Sequence, residues 1–258
     1  MLTTTAIQAT QELRDLRSRY DHLFFPSVAA LILVSVFLGF AQSYYLQGML
    51  KLPAWKAFAA PPHPLLVHIH AVIFSSWIVL MVAQTSLVAV GRVGVHRQLG
   101  FVGFGLACLL VLVGLLVTCE FLARHHRLED PSLRFPFLQA VDLLVFSMLI
   151  YFGYRQRFNP AAHKRLMLIA TITPLDAAFS RWPILVVGNS VLADMCCYAL
   201  LALLAGYDMW SIGKVHRATL WGSTLLIVAH HPFLSVLDRT LVWHRLAIYM
   251  QRLGDLLH

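Results

Sequence analysis

The stretch PLLVHIHAVIFSSWIVLMVAQTSLVAV, residues 64–90, contains no Asp, Glu, Lys or Arg. About 20 apolar residues are enough for a helix to cross the hydrocarbon core of a bilayer. The whole chain has 258 residues, of which 59% are hydrophobic and 12% are charged. Soluble domains average about 45–50% apolar and about 25% charged residues. The composition therefore predicts a polytopic membrane protein whose main partner is the lipid bilayer.

Further apolar stretches follow one another along most of the chain. The predicted spans are 24–46, 64–90, 99–122, 137–154, 165–188, 191–212 and 219–236. The predicted fold class is therefore all-α, a bundle of seven transmembrane helices. Residues 1–23 form a polar N-terminal segment, residues 24–236 the transmembrane domain, and residues 237–258 a tail. In this tail apolar pairs alternate with Arg, His and Asp at helical spacing, which is typical of an amphipathic helix lying along the headgroups.

Basic residues give the predicted orientation, because three short loops between apolar stretches are rich in Lys and Arg. These residues are Arg92, Arg97, Arg155, Arg157, Lys164, Arg165, Lys214 and Arg217. Lys and Arg accumulate in cytoplasmic loops of membrane proteins. We therefore expect the N-terminus inside, the C-terminal tail outside, and a location in a bacterial inner membrane. The net charge of +8 is explained by this topology and does not indicate binding to nucleic acid.

This topology places the histidines of the spans at two depths. The predicted outer layer contains His68, His70, His230 and His231. The predicted inner layer contains His96, His163 and His216. A histidine inside a membrane is rare, faces the bundle interior and marks a functional site by default. Both layers are therefore candidate sites.

Helical rotation distinguishes the two histidines of the second span. His70, Trp77 and Gln84 are seven residues apart and share one face of a helix. At about 100° per residue, His68 points about 160° away from His70. We therefore predict that His70 faces the bundle and that His68 lies nearer the surface.

Carboxylates accompany the outer histidines. Asp142 lies in the fourth predicted span, and Asp176 lies in the fifth, five residues before Arg181. An unpaired charge at such depth costs at least about 2.5–3.5 kcal/mol, so these groups need partners inside the bundle. The candidate metal ligands on the outer side are His68, His70, His230, His231, Asp142 and Asp176.

Two kinds of chemistry use imidazoles at matched depth. Facing helices can offer neutral histidines to haem iron. Alternatively, histidines and aspartates can bind zinc or iron with an open coordination position that activates water or oxygen. Simpler roles compete with both: a hydrogen bond between helices for the outer layer, and contact with lipid phosphate for the inner layer.

Three sequence elements carry a resemblance to known proteins: VHIHA (67–71), GRVGVHRQLG (91–100) and HKRLM (163–167). They resemble the H-x-H-A, G-R-x-x-x-H-R-x-L-G and H-x-R-L-M elements of a group of bacterial polytopic membrane proteins. The H-R-x-L-G element is also similar to one in the ferric-reductase and b-type cytochrome superfamily. That superfamily binds haem b between helices through paired histidines and passes electrons across the membrane.

The likeness to b-type cytochromes implies haem b as a cofactor. By this likeness the candidate ligands are His70, His96 and His163, with His230 or His231 as the outer partner. One departure is that the fourth predicted span contains no histidine. No nicotinamide or flavin domain is predicted within the 258 residues, so a reductase of this kind would take electrons from quinone or another lipophilic donor.

The first functional expectation is a membrane oxidoreductase that binds haem or a transition metal, iron or zinc, through buried histidines. The first alternative is a metal-dependent enzyme similar in architecture to the adiponectin-receptor and ceramidase group, which places histidines of helices 2 and 7 around zinc. The adjacent His230 and His231 depart from that group, in which the paired histidines of helix 7 are four residues apart. The second alternative is a secondary transporter with Asp176 and Arg181 at a midplane site, or a structural membrane protein.

Overall fold

The computed structural model describes residues 20–46, 49, 64–124, 130–182, 190–230 and 232–256, which form helices and turns without a strand. The predicted all-α fold class is thus confirmed for these residues. The helices are α1 (Asp21–Phe40), α2 (Pro64–Ala89), α3 (Val93–Arg124), α4 (Asp130–Arg155), α5 (Pro160–Ile172), α6 (Asp176–Phe179), α7 (Ser190–Ile212), α8 (Arg217–His230) and α9 (Leu241–Asp255). A π-helical turn (Ala41–Tyr45) extends α1, and 3-10 turns (Thr173–Leu175 and Pro232–Arg239) precede α6 and α9.

Five of these helices, α1, α2, α3, α4 and α7, are long and apolar enough to cross a membrane. Large apolar side chains on their outer faces are exposed, such as Val34 (54%), Leu112 (53%) and Leu144 (60%). So many exposed apolar side chains are suited to contact with lipid hydrocarbon rather than with water. The other two predicted spans contain shorter helices, because α5 has 13 residues and α8 has 14. The count of seven spans and their orientation stay predictions.

Prolines explain why these two helices are short. α5 begins at Pro160, where the side chain of Asn159 accepts a hydrogen bond from the backbone N–H of Ala162 at 3.3 Å. It ends at Ile172, and Pro174 lies in the 3-10 turn that follows. Proline has no backbone N–H and clashes with the preceding helical turn. The helix is therefore interrupted before α6 begins, and α8 likewise ends just before Pro232.

Close packing holds the short α6 against α1. A Cβ atom at Gly39 would overlap the carbonyl oxygen of Ala178, so the two backbones touch where only glycine fits. Small residues at helix crossings allow such approach in membrane bundles. The segment that follows the helix break is therefore fixed in position by α1.

A buried ion pair joins α5 to α7 and α8. The guanidinium of Arg165 donates to Asp208 Oδ1 from Nε at 2.8 Å and from Nη2 at 2.5 Å, and its Nη1 donates to the carbonyl of Ala161 at 2.6 Å. Asp208 Oδ2 accepts from Thr219 Oγ1 at 2.6 Å and from the backbone N–H of His216 at 3.0 Å. Buried charges are tolerated when they are paired and hydrogen-bonded in this way.

A second group of polar contacts extends this network to α1. Asp21 forms an ion pair with Lys164 and accepts a hydrogen bond from the hydroxyl of Tyr207 at 2.9 Å. The ring of Tyr207 stacks on Phe24, with centroids 3.8 Å apart. The ends of α1, α5, α7 and α8 are thus tied together on one side of the bundle.

The C-terminal helix α9 packs against α3 and α4. Its buried residues are Trp243, Ala247, Met250 and Gly254. A Cβ atom at Gly254 would overlap the carbonyl oxygen of Cys119, which shows how closely α9 approaches α3. A second stripe of α9 is apolar and exposed, and consists of Val242, Leu246, Tyr249, Leu253 and Leu256. The predicted helix in the tail is present, and its place at the headgroups stays a prediction.

Candidate functional site

A cluster of charged residues inside the bundle surrounds His230, the last residue of α8. Its Nε2 lies 2.7 Å from Asp142 Oδ1 on α4, and its Nδ1 lies 3.2 Å from Asp194 Oδ1 on α7. The side chain of His230 is only 6% exposed, whereas those of Asp142 and Asp194 are 18% and 27% exposed. An imidazole between two carboxylates donates to both when it is protonated. His230 on α8 is therefore in contact with both α4 and α7.

Asp176 adds a third carboxylate to this cluster. It is the first residue of α6, directly after the helix break, and it interacts electrostatically with Asp142, Asp194 and His230. Arg181 approaches from the residues after α6 and interacts with Asp176. Charged groups gathered inside a membrane bundle mark ion pathways or proton relays.

Arg181 is held by more than this electrostatic interaction. Its Nη1 donates to the carbonyl of Ala177 at 2.5 Å, and its guanidinium lies 5.1 Å from the ring centroid of Phe40. Arg181 thus has partners inside the bundle, and the prediction that Asp176 is paired there stays a prediction.

The histidines of α2 lie apart from this cluster. His68 is exposed, and its Nδ1 lies 3.0 Å from the hydroxyl of Tyr44. His70 is half-buried, with its ring 6.3 Å from that of Phe74. Within the described residues, no hydrogen bond joins His70 to His230. His231 lies outside the described residues.

Metal binding on the outer side therefore stays a prediction. Within the described part of the chain, no group of three or more His, Cys, Asp and Glu side chains is arranged to hold a metal ion. Both nitrogens of His230 face carboxylates, so a metal ion would have to displace one of these contacts. The fold places Asp142, Asp176 and His230 close together. No described contact joins His68 or His70 to these three residues.

The inner layer contains a pair of histidines from two helices. His96 lies in the first turn of α3 and His163 in the first turn of α5, with ring centroids 6.2 Å apart and ring planes at 78°. Both side chains are half-buried. The sequence predicts the same depth for these two residues, and the fold brings their rings into contact.

Hydrogen bonds fix both rings of this pair through Nδ1. His163 Nδ1 lies 2.8 Å from the carbonyl oxygen of Gly153 and donates to it. The carboxamide of Gln84 lies 2.7 Å from His96 Nδ1 when its oxygen accepts from the N–H of Gly100 at 3.1 Å. In this orientation the amide nitrogen of Gln84 donates to His96 Nδ1 and to the carbonyl oxygen of His96, at 3.2 Å. The neutral ring of His96 therefore carries its proton on Nε2.

The contact of His163 with a backbone carbonyl resembles that of metal-binding histidines. Such histidines almost always have their second nitrogen bound to a carbonyl or carboxylate, which fixes the ring and its tautomer. Within the described residues, no hydrogen bond engages Nε2 of His96 or His163. Two imidazoles on opposite sides of one metal ion, each at about 2 Å, place their ring centroids roughly 6 Å apart. The observed 6.2 Å separation of the centroids fits that arrangement.

The third inner histidine, His216, belongs to the ion-pair network instead. Its backbone N–H donates to Asp208, and its Nδ1 accepts from the N–H of Ala218 at 3.0 Å. Burial and the neighbouring Arg165 lower the pKa of His216. The ring is therefore neutral near pH 7, with its proton on Nε2.

The inward face of α2 matches the expectation from helical spacing. Trp77 is buried, 3% exposed, and its ring packs edge-on against Phe146 at 5.4 Å. Gln84, two turns further on, contacts His96 on α3. The stripe predicted from the seven-residue spacing is therefore confirmed at both positions.

Two groups that hold the histidine rings were not among the predicted site residues. Asp194 holds His230, and the carbonyl of Gly153 holds His163. Asp194 carries a visible signal, because it is an acidic residue within an apolar stretch. A backbone carbonyl carries no sequence signal, since every residue has one.

Comparisons of the chain with protein-family models, with curated proteins and with solved structures returned no match. The resemblance to bacterial membrane proteins and to b-type cytochromes therefore stays a prediction.

Proposed function

We propose that the protein is an integral membrane redox protein that binds haem iron or a transition-metal ion between His96 and His163. The observation that carries this proposal is the pairing of two rings from different helices, each held through Nδ1, with centroids 6.2 Å apart. Bound iron would supply one-electron chemistry, and His163 would hold it through Nε2. His96 would hold it through Nε2 once its ring proton moves to Nδ1 and the amide of Gln84 turns its oxygen to that proton.

The surroundings of the pair support an electron-transfer role more than a hydrolytic one. Nucleophile-generating metal sites keep an open coordination position and a base nearby. The described contacts of the pair are an amide, from Gln84, and a backbone carbonyl, from Gly153. These groups orient the imidazoles but are poor proton acceptors at neutral pH.

The proposal also assigns the chain seven spans in a bacterial inner membrane, with the pair on the cytoplasmic side. The electron donor would be a quinol or another lipophilic reductant. In support, the loop that follows α2 contains Arg92, and Arg155 at the end of α4 and Arg157 in the next loop precede α5.

Visible spectra and metal analysis of the purified protein test this proposal. A Soret band with sharp α-bands on reduction identifies haem, and stoichiometric iron or another transition metal without a Soret band identifies a bare ion. We expect His96→Ala and His163→Ala each to lose the bound group. Arg97→Gln, an exposed change beside His96, is the matched control and should keep it. Wild-type protein purified without any haem or metal, or variants that keep a full complement while folded, would contradict the proposal.

A second candidate function is secondary transport coupled to protons or small cations. It is favoured by the His230 cluster, in which a histidine and three carboxylates meet at a helix break and a helix end. Discontinuous helices and buried carboxylates near the midplane are typical of transporter sites. The same geometry favours transport over a metal-dependent enzyme, because both nitrogens of His230 already face carboxylates.

Proteoliposomes with an internal pH-sensitive dye test the second candidate. Under an imposed membrane potential, transport predicts proton uptake that Asp142→Asn and Asp176→Asn abolish. Asp255→Asn, an exposed carboxylate on α9, should leave uptake unchanged. Uptake equal in all variants would assign the cluster a structural role.

A further inference from the structure

A cavity of about 840 Å³ opens where α4 ends and α8 begins. It lies beside the Arg165–Asp208 network and contains neither His96 nor His163 among its lining residues. Its walls come from α4, α5, α8 and the loop before α8. The cavity is therefore separate from the redox site proposed above.

One wall of the cavity is apolar and aromatic. Phe152 and Trp221 meet edge to face with centroids 5.0 Å apart, and Leu166 lies behind them. Phe152 is 39% exposed and Trp221 is 42% exposed, so the wall continues onto the outer surface of the bundle. α4 is one of the helices long enough to span a membrane, and hydrocarbon would cover this surface. An acyl chain fits such a wall.

The cavity is also lined by basic residues. Lys214 and Arg217 are exposed cations in this lining, and His216 lies between them in sequence. The Nδ1 of His216 accepts from the N–H of Ala218, so the neutral ring presents Nε2–H as a donor. Arg217 is also the first residue of the 14-residue α8, whose N-terminus carries partial positive charge. All of these groups attract an anion.

We propose that this cavity binds a phospholipid with an anionic headgroup, whose phosphate contacts Lys214 and Arg217 and whose acyl chain lies along Phe152 and Trp221. Basic pockets between transmembrane helices on the cytoplasmic side are typical sites for such headgroups. A neutral quinone would use the aromatic wall and leave both cations without a partner. A free phosphate would use the cations and leave the aromatic wall uncovered.

Fluorescence quenching of Trp221 by brominated lipids in detergent micelles tests this proposal. The signal of Trp221 is the difference between the wild-type chain and Trp221→Phe. We expect brominated phosphatidylglycerol to quench it at lower concentration than brominated phosphatidylcholine. Replacing both cations, Lys214→Gln with Arg217→Gln, should weaken phosphatidylglycerol binding about thirtyfold, because each basic residue is worth about 1 kcal/mol and 1.4 kcal/mol is tenfold.

The matched control is Arg92→Gln with Arg97→Gln, which removes two exposed cations from the turn before α3 and the start of that helix. This control should bind phosphatidylglycerol like the wild type. Three results would each overturn the proposal: equal quenching by the two lipids, full displacement of the lipid by millimolar inorganic phosphate, or tighter binding of a quinone that the Lys214 and Arg217 changes do not affect. Thermal unfolding of every variant establishes that the fold is intact.

Discussion

The carboxylate of Asp208 accepts two hydrogen bonds from the guanidinium of Arg165, at 2.8 Å and 2.5 Å, in the interior of the bundle. The side chain of Arg165 is 2% exposed and that of Asp208 is fully buried. Thr219 and the backbone of His216 satisfy the second carboxylate oxygen. Every partner lies on α5, α7, α8 or the loop between the last two, so this pair decides how these helices meet.

Removing the charge of Asp208 should therefore destabilise the protein strongly. Asp208→Asn leaves the guanidinium of Arg165 buried without a counter-charge, and breaking a buried pair in this way costs about 3–5 kcal/mol. Unfolding in detergent, followed by circular dichroism, measures the loss. Asp255→Asn, at an exposed position of α9, is the control and should unfold like the wild type. An unchanged midpoint for Asp208→Asn would mean that the pair contributes little.

A single methyl group should be enough to disturb the contact between α1 and α6. Gly39→Ala places a Cβ atom against the carbonyl of Ala178, and overpacking of this kind costs about 1–3 kcal/mol. Gly105→Ala is the matched control, because no atom lies within 4 Å of the added Cβ there. Since alanine favours helices over glycine by about 1 kcal/mol, the control should be neutral or stabilising. Equal unfolding midpoints for the two variants would contradict the close contact.

Gln84 should influence the proposed metal or haem site although its own atoms bind no iron. Gln84→Ala removes the group that holds His96 Nδ1, and loss of such a partner typically lowers metal affinity about 10–100-fold. Titration of the apo-protein with haem or metal measures the affinity. Gln98→Ala, an exposed change on the same helix as His96, should bind like the wild type. Identical affinities in all three proteins would show that Gln84 does not position the ring.

The two carboxylates that hold His230 should not be equivalent. The contact with Asp142 is 2.7 Å long and that with Asp194 is 3.2 Å long, and Asp142 is the less exposed of the two. Hydrogen bonds to charged groups contribute about 1.5–3 kcal/mol, with the shorter ones stronger. Asp142→Asn should therefore lower the free energy of unfolding more than Asp194→Asn. The opposite order would place the stronger interaction of His230 on α7.

Reporter fusions test the predicted topology. A fusion in the loop near Asn159 should report the cytoplasm, and one after Leu257 should report the outer side. Reports from the same side would remove the seven-span arrangement, and with it the two depths assigned to the histidines.

The inner histidine pair was the part of the site most open to prediction. His96 and His163 each lie close to a basic loop and at the start of an apolar stretch, so helix length alone gives them similar depth. The depth of a histidine, however, does not determine which neighbouring groups it contacts. His216 satisfies the same criteria, but its backbone N–H donates to Asp208 on α7 and its Nδ1 accepts from the N–H of Ala218 on α8.

The His230 cluster shows why the partner of a buried residue is harder to predict than its depth in the membrane. Helical spacing correctly predicted that Trp77 and Gln84 face the interior of the bundle. It did not reveal that α8 brings His230 to α4 and α7 rather than to α2, since the choice of neighbour depends on helix crossings. These crossings depend on contacts such as the one between Gly39 and Ala178, which no periodicity in the sequence indicates.

The C-terminal helix α9 has a buried face, an exposed apolar stripe and a charged side. At its predicted place along the headgroups, these three faces would limit how the whole bundle can tilt. Trp243 and Gly254 fasten the helix to α3 and α4, so the directions of its apolar stripe and its charged side, with Arg245 and Arg252, are fixed relative to the other helices. Tilting a bundle is the usual response to a bilayer of a different thickness. With α9 at its predicted place along the headgroups, a tilt would move Leu246 into water or Arg252 into hydrocarbon. A thinner or thicker bilayer would then have to deform around this protein, and membrane thickness would influence where it resides.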